Sequence, residues 1–230
     1  MADKVVSIKG DGIGPEVMSS VQQVIAETGA NIDWIERFAG LSAIENGHSS
    51  TLPNETLKSI EECSVALKGP CTTPVGDGFT SVNVALRKNL DLYGAVRPVR
   101  NINGIRTNYE DVDLIVVREN TEGLYSGIEN EISDGVVTSL KVVTEKACRR
   151  IAQFAIDLAI SRNRKRISVF HKANIMKLGD GLFINCAREE FEKRAVPGLQ
   201  YEELIIDAAC MRLVQDPKQF DIILVENLYG

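Results

Sequence analysis

No apolar run in this chain approaches the length needed to cross a bilayer as a helix, which excludes membrane spanning by that route. Positive charge is not in excess: 26 Lys and Arg stand against 32 Asp and Glu, a formal net charge of −6. A nucleic-acid binder wants a basic face, so general binding to nucleic acid is excluded as well. There is no Cys-x-x-Cys pair. The five cysteines, Cys63, Cys71, Cys148, Cys186 and Cys210, are odd in number and scattered. That argues against a disulfide framework or a zinc site, and for reduced thiols in an intracellular protein. The first residues, MADKVVSIKG, pass almost at once into a strand-like run, with neither an apolar signal core nor an Arg/Ser-rich transit segment. The corresponding expectation is a cytoplasmic protein, or a mitochondrial-matrix one for a processed eukaryotic chain. Internal repeats and low-complexity tracts are also missing. What is present is 230 residues, 44% hydrophobic and 25% charged, the balance of a globular protein with enough chain for one large or two small domains.

Strand-like and helix-like patterns alternate along the chain. Lys4–Ile8 is a short β-branched run, followed by a glycine turn and a helical stretch from Pro15 to Thr28, with Pro15 suited to a first helical turn. Residues 31–38 read as a strand, 53–62 as a helix, 65–67 as a short buried strand and 83–90 as a helix. Leu114–Val117 is a buried strand ending at Arg118. Gly135–Val143 alternates as half of an exposed ribbon would. Residues 144–162 form a helix with Ile151, Phe154, Ala155 and Leu158 along one face. Then come a strand at 167–171, a helix at 181–195, a strand at 201–206, a helix at 208–215 and a last strand at 220–225. This alternation predicts an α/β fold with parallel elements.

The loop Gly10-Asp11-Gly12-Ile13-Gly14 sits between a strand and a helix, as a dinucleotide fingerprint would. Its spacing is not G-x-G-x-x-G: the third glycine arrives one residue early and Pro15 follows. The reading is a tight turn that needs positive φ, not a Rossmann loop. A more informative pattern is SVNVALRKNLDLYGAVRPVR with VVRENTEGLYSG beyond it. Arg87, Arg97 and Arg118 stand near segment ends, with Ser81 and Asn83 beside the first. Arginine forks make paired hydrogen bonds to carboxylates and stay charged at any working pH, so the set suits a small polycarboxylic acid. The alternative is three surface arginines in ordinary ion pairs.

These residues resemble the β-decarboxylating dehydrogenases, the family of isocitrate and isopropylmalate dehydrogenases. GDGIGPE, GPCTTPVG, LRKNLDLYGAVRP, RENTEGLYSG and HKANIMK match family motifs in family order and cover essentially the whole chain. Ser81-Val82-Asn83 followed by Arg87 resembles the isocitrate type, and ENTEGLYSG with VQDPKQFD looks most like NAD-linked isocitrate dehydrogenases. The resemblance implies two α/β domains that are not Rossmann folds. Residues 1–98 would be the first part of the large domain and 99–230 the small domain, with a dimer clasp at 123–143.

The resemblance also implies roles. Ser81 and Asn83 would hydrogen-bond the carboxylate that isocitrate has and isopropylmalate lacks, and Arg87, Arg97 and Arg118 would clamp the carboxylates. Lys172 would act as a base in oxidation of the C2 hydroxyl, and Tyr125 would return a proton to the enolate after decarboxylation. Thr72 and Thr73 would lie at the nicotinamide end of NAD with Ile13 nearby, and Asn174 would support the cofactor or Lys172. Asp207 would bind Mg²⁺ or Mn²⁺, which withdraws electrons as carbon dioxide leaves. The partners implied are isocitrate and a homodimer or higher oligomer with shared active sites, in which Lys172 and Asp207 serve the neighbouring subunit's pocket.

From the residues alone, Tyr125 in its Gly- and Ser-rich loop could still be a core tyrosine, Lys172 a solvated lysine, and Asp207 the cap of a helix from Ala208. His171 reads as structural. In the family, the NLYG of residues 227–230 runs on into an aspartate-rich metal segment and a later adenine-binding loop. Asp207 is therefore expected to lack metal partners within these residues, and little turnover is expected of the 230 residues by themselves. Glu226 stands where the family more often has a small residue or Pro. A regulatory subunit of the same enzyme, or a homoisocitrate or 3-alkylmalate dehydrogenase, is the alternative. Tyr125 and Lys172 speak against the first, and Ser81 and Asn83 against the alkylmalate.

Overall fold

Strand β1 (Asp3–Ile8) follows from DKVVSI, whose last four residues are all buried. In a computed structural model of the chain, which describes residues 2–72 and 81–230, β1 is central to a parallel sheet. It lies between β2 (Ile32–Arg37) and β3 (Ala66–Lys68). Parallel neighbours need long crossovers. Helix α1 (Gly14–Glu27), with Pro15 in its first turn, makes the first crossover, and α2 (Leu41–Glu45) with α3 (Asn54–Cys63) makes the second. Helix α4 (Val82–Asn89) follows and buries Val82 and Leu86, one turn apart, against Val6, Ile8 and Ala39. The five residues of α2 are too few to show a helical period, and the sequence pattern missed them.

The glycine loop is the tight turn expected. Gly10 and Gly12 have φ of +73° and +59°. A Cβ on Gly10 would lie 2.0 Å from the Pro70 carbonyl oxygen, which accepts the Asp11 N–H at 2.7 Å. Asp11 was overlooked in the sequence, yet it ties three segments together. Its carboxylate accepts backbone N–H groups of Leu41 at 3.0 Å, Ser42 at 2.8 Å and Thr72 at 2.5 Å. Gly40, at φ +92°, lets the chain pass: a Cβ there would sit 2.1 Å from the Asp11 carboxylate.

The contacts divide the chain into two compact units, one ending at Asp91 and one running from Leu92 to Gly230. The division falls before residue 98 because β4 (Gly94–Arg100), which the sequence reading left unassigned, pairs along its whole length with β5 (Asp113–Glu119). The second unit holds a five-stranded sheet in the order β4-β5-β10-β8-β9, where β8 is Arg166–His171, β9 Gln200–Ile205 and β10 Ile222–Val225. All of its described pairings are parallel except β4 with β5. An edge position suits β4, since its Pro98 cannot donate to a ladder.

Alternation sorts the strand residues onto two faces. Ile115, Val117, Ile167, Val169, Ile222 and Leu224 pack under α5 (Glu145–Ser161) and α6 (Gly179–Arg194). Leu114, Phe170, Ile223 and Val225 face the other way, with Ala209 of α7 (Ile206–Gln215) and Phe220. Helix α5 begins as its sequence suggests, Thr144 accepting the Ala147 N–H, and its inward residues include Ile151 and Ala155. Strands β6 (Gly123–Ser133) and β7 (Val136–Val142) form a separate antiparallel ribbon that turns at Gly135, φ +75°. Ile132, Val136, Val137 and Leu140 leave it with exposed apolar side chains. The five cysteines are unpaired, Cys148 and Cys186 being buried. Among the described residues, no helix is long and apolar enough to cross a membrane.

Burial acts to raise the Asp11 pKa, but the backbone donors of Ser42, Thr72 and Leu41 outweigh it and hold the carboxyl below its ordinary 3.8. A lowered folded pKa means stability that is present above the unfolded value and lost as pH falls through the folded one. Asp11→Ala is expected to lose about 2 kcal/mol at pH 7 in urea unfolding, since three N–H groups lose their acceptor. The gap between wild type and variant should close as the pH drops below about 4.

Candidate active site

In the first unit, Ser81 is the N-cap residue of α4, but its side chain makes no capping bond. Asn83 follows in the first turn, exposed, and Arg87 lies one turn further on. Residues at i and i+4 are neighbours on a helix surface, so Asn83 and Arg87 share a face. Ile13 caps α1 and is 69% exposed, and Thr72 is exposed with its N–H on Asp11. Thr73, expected beside it, lies outside the described residues.

In the second unit, register brings two of the arginines to one face. Arg97 pairs with Val116, and Arg118 stands two residues further along the same strand. Both therefore project to the face that carries α7. Arg97 is exposed on the edge strand, while Arg118 is only 6% exposed. The Arg118 Nε and Nη2 donate to Asn227 Oδ1 at 3.0 and 2.6 Å, and Asn227 Nδ2 donates to the Glu122 carbonyl at 2.8 Å. The guanidinium carbon lies 5.2 Å from the centroid of the Tyr125 ring. Arg118 makes no ion pair among the described residues. Tyr125 is on β6, a strand, and not in the loop that its Gly- and Ser-rich sequence suggested. The turn that leads to it is built by carboxylates. Glu119 accepts from the N–H and hydroxyl of Thr121 and the N–H of Glu122, and Glu122 accepts from the N–H and hydroxyl of Thr144.

Lys172 follows directly on β8 and forms an ion pair with Asp207. Asp207 lies in the first turn of α7, which Ile205 caps, so its side chain is not the helix cap that the sequence allowed. It is a member of the pair and 67% exposed. His171 is structural, as expected: it is buried and its Nδ1 accepts the Ala173 N–H at 3.1 Å. Asn174 is exposed in the turn beyond Lys172. The Lys172 N–H donates to Asp180 at 2.6 Å, and Asp180 is ion-paired to Lys141 of the ribbon. Lys141 also pairs with Glu226, whose pKa burial pushes up despite that partner.

Arg118, Lys172, Asp207 and Asn227 all stand at or just beyond the carboxyl ends of the parallel strands β5, β8, β9 and β10. Ligands of open α/β sheets bind at that end. The sequence brought Arg118, Tyr125, Lys172 and Asp207 forward but missed Asn227, Lys141 and Asp180. Asn227 was legible only as part of the NLYG motif, and Lys141 and Asp180 carried no signal.

A largely parallel α/β sheet with a buried arginine and a lysine–carboxylate pair at its carboxyl edge has the ligand-facing end of an open α/β fold. The chain belongs to the isocitrate/isopropylmalate dehydrogenase family, whose model matches residues 4–230. It is 48% identical over 221 residues to isocitrate dehydrogenase [NAD] catalytic subunit 5, mitochondrial, of Arabidopsis thaliana, covering 96% of this chain and 58% of that protein. It is 47% identical over 221 residues to the chloroplastic 3-isopropylmalate dehydrogenase of Solanum tuberosum, covering 96% of this chain and 61% of that one. The chain thus spans about three fifths of the length of these relatives. The crystal structure of isocitrate dehydrogenase from Methylococcus capsulatus matches with a TM-score of 0.91 at 43% identity, over 100% of this chain and 68% of the other. The family fold expected from the sequence is therefore the fold of this chain.

The donor set sets a limit on metal binding. Among the described residues, no group of three His, Cys, Asp or Glu could hold an ion. Asp207 by itself offers a single hard oxygen donor, which suits Mg²⁺ or Mn²⁺ in kind but not in number.

Asn227→Leu would leave the Arg118 guanidinium buried without its acceptor. The variant is expected to lose about 2 kcal/mol in urea unfolding, the range for a hydrogen bond to a charged group.

Proposed function

We propose that the protein to which this chain belongs oxidises and decarboxylates isocitrate to 2-oxoglutarate with NAD and a divalent cation. The observation that carries this reading is Arg118. A guanidinium that is buried, bonded to a neutral amide oxygen and stacked on Tyr125 is a strong receptor for a carboxylate, because charge–charge attraction is little screened there. Arg97 on the same sheet face adds a second such donor. Tyr125, against the Arg118 fork, is within reach of the carbon skeleton of an acid held by that arginine, and it returns the proton after carbon dioxide leaves. Lys172 takes the proton of the C2 hydroxyl, and NAD, when bound, would supply the acceptor for the hydride. Asp207 holds Lys172 in place and would provide one ligand to a divalent cation, which would supply charge stabilisation for the decarboxylation. Ile13, Thr72, Thr73 and Asn174 attend the cofactor.

Overall similarity does not choose the acid, since an isopropylmalate dehydrogenase is about as similar as an isocitrate dehydrogenase subunit. The choice rests on the first turn of α4. Ser81 does not spend its hydroxyl on capping, and Asn83 is exposed beside it. An apolar branch there would leave both polar groups without partners, a large penalty. The potato relative makes a 3-alkylmalate the second reading. Subunit names among the relatives support an oligomer, and the exposed apolar ribbon β6–β7 is the part proposed to clasp a neighbouring copy.

Two assays test this in the full-length protein. With isocitrate, replacing Ser81 and Asn83 together by Ala should lower kcat/KM by about 100-fold or more, while 3-isopropylmalate gains relative to it. Preference for the alkylmalate in the unaltered protein would overturn the substrate assignment. For shared sites, Arg118→Ala and Lys172→Ala chains, each inactive, should regain activity when mixed. No recovery on mixing would show that each site is built from one chain.

A further inference from the structure

Beneath Lys172 lies a charged cluster that the proposed chemistry does not use. Asp180, in the first turn of α6, is wholly buried. One of its carboxylate oxygens accepts the Lys172 N–H at 2.6 Å and faces the Tyr229 hydroxyl at 3.5 Å. The other is ion-paired to Lys141 Nζ, from the ribbon strand β7. Lys141 in turn meets Glu226, at the end of β10, and lies 5.5 Å from the centroid of the Tyr229 ring. An acidic residue in a first helical turn is ordinarily explained by the helix dipole. Asp180 goes further: it is sealed from water and bonded to the backbone of another segment and to an ammonium from a third.

The geometry points to Asp180 as a positioning residue for Lys172, held in turn by Lys141. This inference rests on the reading of Lys172 as the base. The Lys172 side chain is half-buried at the start of a turn, and no sheet hydrogen bond holds it beyond His171. Its N–H is fixed by the Asp180 carboxylate, its carbonyl accepts the Ile175 and Met176 N–H groups of the following turn, and its ammonium is held by Asp207. Asp180 can serve as that anchor because Lys141 neutralises it, and a buried carboxylate without such a partner is strongly disfavoured. The consequence is a mechanical link. Ribbon β6–β7, the turn after β8 and the end of β10 are drawn to one ammonium, so a displacement of the ribbon is transmitted to the Lys172 backbone.

The test combines a readout without substrate and one with it. In this 230-residue chain, amide hydrogen exchange at Lys172 should be as slow as in the β8 amides, and Asp180→Ala should speed it by about tenfold or more while β8 keeps its protection. Lys141→Met should act in the same direction. Fast exchange at Lys172 in the unaltered chain would overturn the proposal without any variant, and so would unchanged exchange in either variant. In the full-length protein, Asp180→Ala should lower kcat on the order of 100-fold, with KM for isocitrate within about twofold, because misplacement of a reacting group acts on the chemical step. Asp180→Asn, which keeps an acceptor oxygen, should recover part of that loss. An unchanged kcat, or a loss confined to KM, would refute the positioning role. If the exchange results hold but the unaltered protein does not act on isocitrate, the substrate reading fails and the anchoring of Lys172 stands.

Discussion

A buried guanidinium at the end of β5 is the constraint around which the second unit is arranged. Taking a cation out of water is expensive, and the cost is offset only when its donors find acceptors of good geometry. Arg118 meets it in part through one neutral oxygen, that of Asn227. That oxygen is held in turn because the Asn227 amide donates to the Glu122 carbonyl. Glu119 and Glu122 spend their carboxylates on local N–H and hydroxyl groups of residues 121, 122 and 144. They shape the turn and do not neutralise the arginine. The charge of Arg118 is thereby left without a carboxylate partner among the described residues.

The neighbouring cluster has the opposite balance. Lys141 is one ammonium against two carboxylates, Asp180 and Glu226. Burial pushes the Glu226 carboxyl above its ordinary range, with Lys141 acting against that shift. Unlike charge requirements are thus met a short way apart along the carboxyl edge of one sheet. One spot is cationic and bonded to a neutral oxygen, and the other is acidic and closed upon itself.

Much of this was legible in the sequence, and the omissions have physical reasons. The apolar runs at 4–8, 114–117, 167–171 and 220–225 announced strands because the covered faces of a parallel sheet are apolar. Strand β4 escaped because GAVRPVR contains a proline and two arginines, a composition that only an edge strand tolerates. Arg118, Tyr125, Lys172 and Asp207 were brought forward by the resemblance to a family, Asp207 without a motif of its own. The sequence did not disclose that Tyr125 lies on a strand, or that Asp207 is inside a helix rather than capping it. Asp11, Lys141 and Asp180 were silent because their importance lies in partners far away in the chain, such as Thr72 for Asp11 and Lys141 for Asp180. No local pattern records a contact of that kind.

Strand β10 has a consequence for how the second unit comes into being. It is the last of the strands in the chain, yet it lies in the middle of the sheet, between β5 and β8. Neither of those strands pairs with the other, so the sheet has no continuous hydrogen-bonded path from β4 to β9 until residues 222–225 have been made. Contacts of such long sequence separation make for slow folding. In the finished sheet β5 and β8 are joined only through this four-residue segment. The unit closes by insertion, and IILV is its keystone.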